Sequence, residues 1–302
     1  MAALALPLTG PAQIRVEVSL VNVGFSVRNH QGKLVTDLGV GDFEVFEDGA
    51  PQKISFFARS TDVPLTMGLI MDTSGSQENF IRPHHDALES FLKTVLRTQD
   101  RAFLVCFGNT LRLMSDYTNS AKELVESLKT FEKHKGLDRY PMIGPVEHRV
   151  LGTAFYDAIY YGSTQMMKGE EGGRRALVIF SDGEDNSSAH HMLDAIEAAQ
   201  ANNVLLFPIR YTEISGGRLN ARNKYGISVM ERIARDTGGR DFDGMEGGLD
   251  RSFRDIDEQL RSSFELAYHT TNPPDDKTFH KIVIRVKREG LTVRAKAGYY
   301  PR

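Results

Sequence analysis

Three oxygen-bearing side chains, Asp72, Ser74 and Ser76, alternate in the stretch LIMDTSGSQ, directly behind an apolar run. Thr153 follows in LGTAFYDAI, and Asp182 in LVIFSDGEDN, which again ends an apolar run. Two carboxylates and three hydroxyls, with no thiol and no imidazole, form a donor set for hard cations such as Mg2+, Mn2+ or Ca2+ and argue against zinc or copper. So little ligand charge leaves a cation electrophilic and open to an oxygen from outside. Gly75 permits the sharp turn that lets both serine oxygens face inward.

Taken alone, the first stretch also fits a nucleophilic hydrolase or the N-cap of the next helix. A hydrolase needs a base and an oxyanion hole for Ser74. The chain has no G-x-S-x-G elbow, and no G-x-x-x-x-G-K-[ST] or G-x-G-x-x-G phosphate loop. Glu184 and Asp185 read as a solvated loop or an outer shell around a metal. The pairs His84-His85 and His190-His191 invite a zinc reading, but neighbouring residues on a helix diverge, so each pair offers one face only.

The elements that must position these groups change period along the chain. From Ile14 to Ala58 the pattern is β: Ile14, Val16, Val18 and Leu20 alternate, then Val21, Val23, Phe25 and Val27 in the opposite phase, which predicts a bulge near Leu20. DFEVFEDGAPQKISFFA predicts two short strands joined around Asp48-Gly49. In the middle, PLTMGLIM, RAFLVCF, RALVIFS and VLLFPIRY read as strands covered on both faces. Helical stripes lie between and after them: Leu88/Phe91/Leu92/Val95/Leu96; Leu124/Val125/Leu128/Phe131, capped by Ser120; Ala154/Phe155/Ala158/Ile159; Leu193/Ile196/Ala199; Met230/Ile233/Ala234; Phe253/Ile256/Leu260. The alternation predicts an α/β fold, a doubly wound, mostly parallel sheet of Rossmann-like type. After Ser263, FELAYHT and then FHKIVIRVKREGLTVRAKAGYY return to β, the latter as a hairpin turning at Glu289-Gly290. Neither terminal group folds comfortably alone, but about six strands together suffice for a small β-sandwich. In an open α/β sheet, ligands sit at the carboxyl ends of the strands, where Asp72, Thr153 and Asp182 should converge.

DTSGS with Thr153 and Asp182 resembles the metal-ion-dependent adhesion site of von Willebrand factor A-type domains, whose pattern is D-x-S-x-S, then a threonine, then an aspartate. All five positions match, and the likeness spans roughly residues 64–265. DFEVFEDGAPQKISFF and the final RAKAGYYPR are similar to the exported bacterial VWFA-related family, which extends the resemblance over nearly the whole chain. It implies a VWA domain over 62–265, between N-terminal sandwich strands at 14–61 and C-terminal ones at 266–302. It further implies that Ser74 and Ser76 ligate the metal directly, that Asp72 and Asp182 act largely through waters, and that Thr153 joins when ligand is bound. The implied function is non-enzymatic: a protein-binding or adhesion module whose Mg2+ or Mn2+, ahead of Ca2+, is completed by a partner's Asp or Glu carboxylate. A metal-dependent hydrolase or phosphatase at the same site is the alternative.

Composition narrows the partners. With 37 Lys+Arg against 40 Asp+Glu the net charge is −3, so no global field favours nucleic acid or an anionic membrane. No apolar run approaches the ~20 residues of a membrane-spanning helix. The single cysteine, Cys106, lies in the apolar FLVCF, where it reads as buried filler, and leaves no internal disulfide to form. Residues 1–13, MAALALPLTGPAQ, read like the second half of a secretory signal lacking its basic region, an expectation of export to the periplasm, surface or medium. Two segments are candidate recognition loops: residues 132–151, leading into Thr153, and 215–226, where Arg218, Arg222 and Lys224 would attract an acidic partner.

Overall fold

The structure is a computed structural model that describes residues 20–60, 63–74, 85–134, 139–144, 152–169, 173–211, 219–245, 249–273 and 276–301. The signal-like segment 1–13, the strand expected over 14–19, and Gly75, Ser76, His84 and Arg218 lie outside the described residues, as does much of the 132–151 loop.

Strands β1 (Leu20–Asn29), β2 (Phe43–Glu47), β3 (Ala50–Gln52) and β4 (Ile54–Ser60) precede β5 (Leu65–Asp72). Then follow helix α1 (His85–Val95), strands β6 (Arg101–Phe107) and β7 (Leu111–Thr118), and helices α2 (Ala121–His134) and α3 (Phe155–Tyr161). Next come β8 (Arg174–Ser181), α4 (Met192–Ala201), β9 (Val204–Arg210), α5 (Ala221–Thr237), β10 (Phe242–Asp243) and α6 (Leu249–Arg261). Strands β11 (Ser263–His269), β12 (His280–Val286), β13 (Leu291–Ala295) and β14 (Gly298–Tyr299) close the chain.

The six-stranded sheet runs β10-β9-β8-β5-β6-β7, all parallel except the antiparallel β6–β7 pair. Its centre is β5, buried along its whole length, because alternate side chains serve two separate cores. Leu65, Met67, Leu69 and Met71 pack with Leu92 of α1, Val125 of α2 and Ile256 of α6. Ile70 faces the other way, towards Ala158 of α3, Ala199 of α4 and Ile233 of α5. Three helices therefore cover each face, which is why a continuous apolar run, and not an alternating one, encodes this strand. Gly68 sits between Phe103 and Leu177, whose side chains already fill the space of a Cβ. Cys106 is buried, and Ser120 caps α2 by accepting the Glu123 amide at 3.2 Å.

Strands from both ends of the chain form two four-stranded antiparallel sheets, β13-β1-β11-β4 and β14-β12-β2-β3. Their inner residues share one core, in which the rings of Phe25, Phe43, Phe57 and Phe264 lie with neighbouring centroids 5.0 to 5.7 Å apart. Eight strands are thus described where about six were expected. The surplus arises partly because DFEVFEDGAPQKISFFA makes three strands: β2 and β3 pair across Asp48-Gly49, and β4 crosses to pair with β11. The expected hairpin at Glu289-Gly290 is also different. β12 pairs with β2 and β14, while β13 pairs with β1, so the turn carries the chain from one sheet to the other. In α4 the buried face is Ala195, Ile196, Ala198 and Ala199, whereas Leu193, expected in the apolar stripe, is 58% exposed. Among the described residues no helix is long and apolar enough to cross a membrane.

Candidate metal centre

Outward from β5 the chain winds to β6 on one side, and from β8 to β9 on the other, so the strand order reverses between β5 and β8. At such a switch point the two outgoing connections part and leave a crevice at the carboxyl ends. Asp72 is the last residue of β5 and Asp182 follows the last residue of β8, so both carboxylates stand at this crevice.

Asp72 has no exposed surface and Asp182 is 8% exposed. Neutral donors hold Asp72: the Ser181 hydroxyl donates to Oδ2 at 2.7 Å and the Ser74 amide to Oδ1 at 2.9 Å. The Ser74 hydroxyl also faces this carboxylate. Asp182 accepts the Glu184 amide at 3.0 Å, so each aspartate turns the chain by bonding the amide two residues on. The amide of Gly183 fixes Ser181 in turn, donating to its Oγ at 3.1 Å. Burial, reinforced by the charge of Asp182, pushes the Asp72 carboxyl up to about 6 against the pull of its Ser181 and Ser74 donors. A positive charge is what this pair of buried like charges calls for. A divalent cation reverses the local bias, and two carboxylates with hydroxyl neighbours fit a hard ion.

Thr153 reaches the same edge through tertiary bonds. The neighbouring Ala154 amide donates to the Gly108 carbonyl, just past β6, at 2.8 Å, and the Thr73 amide bonds the Phe107 carbonyl at 2.8 Å. On the other side Asn186 Oδ1 accepts the Thr153 amide at 2.7 Å, while the Thr153 carbonyl accepts the amides of Asn186 and Ser187. The segment after Asp182 thus fixes the start of α3. Asp185 Oδ1 accepts the Phe155 amide at 3.0 Å, and the Ser188 hydroxyl accepts that of Asp157 at 3.0 Å, so a distant loop caps this helix. Asp157, 2% exposed, returns the bonds by accepting the amides of Ala189 and His190 and the His190 ring at 2.7 Å.

These contacts revise several expectations. Asp185, expected in a solvated loop or an outer shell, is a helix cap, and its carboxyl is raised chiefly by burial. His190 is committed to Asp157 and stacks on Tyr160 with centroids 3.6 Å apart, and the His191 amide bonds Asp194 at the start of α4. Arg222 and Lys224 are not loop residues: both lie in the first turn of α5, behind the Asn220 cap. Arg222 meets Glu184 at 2.5 Å, at the rim of the crevice. Burial and the charge of Asp182 raise the Glu184 carboxyl, and Arg222 opposes them. Ser181, Asp157, Asn186 and Ser188 were not singled out from sequence; the polar run SDGEDNSS directly behind an apolar strand is the signal they leave.

Helix α5 also sets the position of Asp182. Gly226, buried in its first half, lies so close to the loop that a Cβ would run into the Asp182 carbonyl, and a Cβ on Gly183 would meet the Gly226 carbonyl at 2.6 Å. Ala for Gly inside an exposed helix is favourable by up to ~1 kcal/mol. At this contact the sign reverses: Gly226→Ala is expected to cost ~1–3 kcal/mol through overpacking. A lower urea midpoint at unchanged slope will register that cost; a midpoint at or above wild type would show that the helix does not press on the loop.

No family model matches the chain, and no curated protein matches it. Among solved structures it is similar to a serine-substituted aerotolerance-related membrane protein from Bacteroides fragilis, at 16% identity over 65% of this chain and 98% of that one, with a TM-score of 0.44. It is likewise similar to the conserved hypothetical protein BatB from Bacteroides thetaiotaomicron, at 16% identity over 65% and 97% of the two chains, TM-score 0.45. A point variant of the PilB minor pilin from Streptococcus sanguinis is 12% identical over 66% and 62%, TM-score 0.46. At these values the likenesses carry no argument about what this chain binds or does.

Proposed function

We propose that this chain is a non-enzymatic, metal-dependent protein-binding module of the von Willebrand A type. Asp72, Ser74, Ser76, Thr153 and Asp182 hold a Mg2+ or Mn2+ at the strand ends, and a partner's Asp or Glu carboxylate completes its shell. The observation that carries this reading is the pairing of Asp72 and Asp182 at the switch point: two buried carboxylates, with Asp72 held by neutral donors. Such a pair is costly without a cation. The ion supplies an electrophilic centre for an incoming carboxylate oxygen; the chain's residues hold it, limit its neutralisation and keep water from the strand side. Ser74 spends its amide and hydroxyl on Asp72, the role of a neutral neighbour and not of an activated nucleophile.

A ligand that binds only the folded state stabilises it by ~2.7 kcal/mol at a hundred times its Kd. After chelator treatment, Mg2+ and Mn2+ are therefore expected to raise the melting temperature, and Ser74→Ala to remove most of the rise, from a metal-free stability lowered by ~1–3 kcal/mol through the hydroxyl bond to Asp72 that it loses. Equal shifts in both proteins would sink the site. Metal-dependent turnover of ester or phosphate substrates that disappears in Ser74→Ala would replace binding by catalysis; none is expected.

A further inference from the structure

A second polar cluster lies in the paired sheets built from the chain ends. Glu47 ends β2, Asp48 opens the turn to β3, and His280 begins β12, the strand beside β2. One ligand-type atom from each lies within 4.8 Å of the others. Glu47 is 1% and His280 3% exposed, so a carboxylate and an imidazole have been taken out of water together. Glu47 Oε1 accepts the Thr270 hydroxyl at 2.7 Å and the Tyr299 hydroxyl at 3.2 Å, yet among the described residues Oε2 has no hydrogen-bond partner. Burial and the neighbouring Glu47 carboxylate push up the titration of the Tyr268 hydroxyl, which faces that carboxylate.

The Asn272 amide nitrogen occupies the middle of the cluster, 2.6 Å from Glu47 Oε1, 2.9 Å from His280 Nδ1 and 3.4 Å from Asp48 Oδ2. His280 Nδ1 is also 2.7 Å from Asp48 Oδ2. The Asn272 amide, the His280 ring and the Glu47 and Asp48 carboxylates thus crowd one point, where the amide can present either its NH2 or its oxygen and Glu47 Oε1 is matched only by the NH2. A cation in the place of the amide nitrogen satisfies the carboxylates and the imidazole at once.

We propose that Glu47, Asp48 and the Nδ1 of His280 form a second divalent-cation site that takes a borderline first-row ion such as Zn2+. The mixed nitrogen and oxygen donors suit that ion, unlike the all-oxygen set at the strand ends. Nδ1 stands 2.7 Å from Asp48 Oδ2 and 4.0 Å from Glu47 Oε1. These separations bracket the ~3.4 Å edge of a tetrahedron with ~2.1 Å bonds. Asp276 lies 3.5 Å from His280 Nε2 without closing a hydrogen bond, near enough to take an outer position once an ion is bound. Thr270, Asn272 and Tyr299, which border the cluster, also line a cleft of about 260 Å³. Bound there, the ion ties the β2–β3 turn to β12 and staples the two ends of the chain.

The test is calorimetric titration of the chelator-treated full chain with Zn2+, comparing wild type with Asp48→Asn and His280→Gln. Asp48 and Gly49 have φ of 50° and 86°, and Asn-Gly is a preferred pair for such a turn, so Asp48→Asn keeps the fold. The comparison isolates this site whatever the strand-end site does, since both variants leave that site intact. The expected result is one equivalent of Zn2+ lost, or its Kd weakened by roughly tenfold or more, in both variants. Identical uptake in all three proteins would overturn the proposal and leave the cluster as a hydrogen-bonded hub.

Discussion

Asp72→Asn is expected to change the stability of this protein in opposite directions with and without metal. In the metal-free protein it should stabilise at pH 7.5 by about 2–3 kcal/mol, the value of a carboxyl raised from 3.8 to about 6 by burial and the charge of Asp182. The folded wild type binds a proton more tightly at Asp72 than the unfolded chain does. Its contribution is fully present below about pH 4 and is lost as pH rises through about 6. Stability of the wild type minus that of the variant should therefore fall across that window and be flat above it. Mg2+ at about a thousand times its Kd adds ~4.1 kcal/mol to the wild type and should reverse the order, because only the aspartate is anionic. The amide of Asn can still accept from the Ser74 amide and donate to the Ser181 oxygen, so the replacement keeps the local hydrogen bonds. Urea unfolding at several pH values, with and without metal, reads both effects. A variant less stable than wild type under every condition would mean that Asp72 is structural and not a metal-site carboxylate.

The second large effect is expected far from any metal ligand. Asp157→Ala removes a buried acceptor from the Ala189 and His190 amides and from the His190 ring, donors on one exposed and one half-buried residue. At ~0.5–1.5 kcal/mol for each of three bonds whose donors water can partly reach, the loss should be about 2–4 kcal/mol. The segment that caps α3 and fixes the Thr153 amide should loosen with it. Hydrogen exchange at residues 185–190 should accelerate more than at β5, and Mg2+ affinity should drop although no proposed ligand has changed. Asp157→Asn, which keeps one oxygen, should fall between. A cost under ~1 kcal/mol would show that this loop is held by other means.

What could be read from sequence follows physical lines. β5 and β8 were legible because covered strands spell continuous apolar runs, and Asp72 and Asp182 because each stands directly behind one. β7 was not foreseen: LRLMSDYT mixes buried and half-exposed positions, and its pairing with β6 shifts register twice. Leu193 fits the apolar period by size alone, whereas α4 approaches its neighbours mainly through alanines. The turn at Glu289-Gly290 was visible, but which sheet each flanking strand joins depends on partners about 235 to 270 residues earlier. The same holds at the site. The capping of α3 by Asp185 and Ser188 links residues 30 and 31 apart, and no local pattern announces such bonds.

The proposal that the strand ends hold a cation is tested most directly by counting ions. Chelator-treated wild type and Asp72→Asn are titrated with Mn2+ in the Asp48→Asn background, and free Mn2+ is read by electron paramagnetic resonance. One equivalent bound by the parent and none by the Asp72→Asn protein is the predicted result. Equal binding by the two, or none by either, would contradict it.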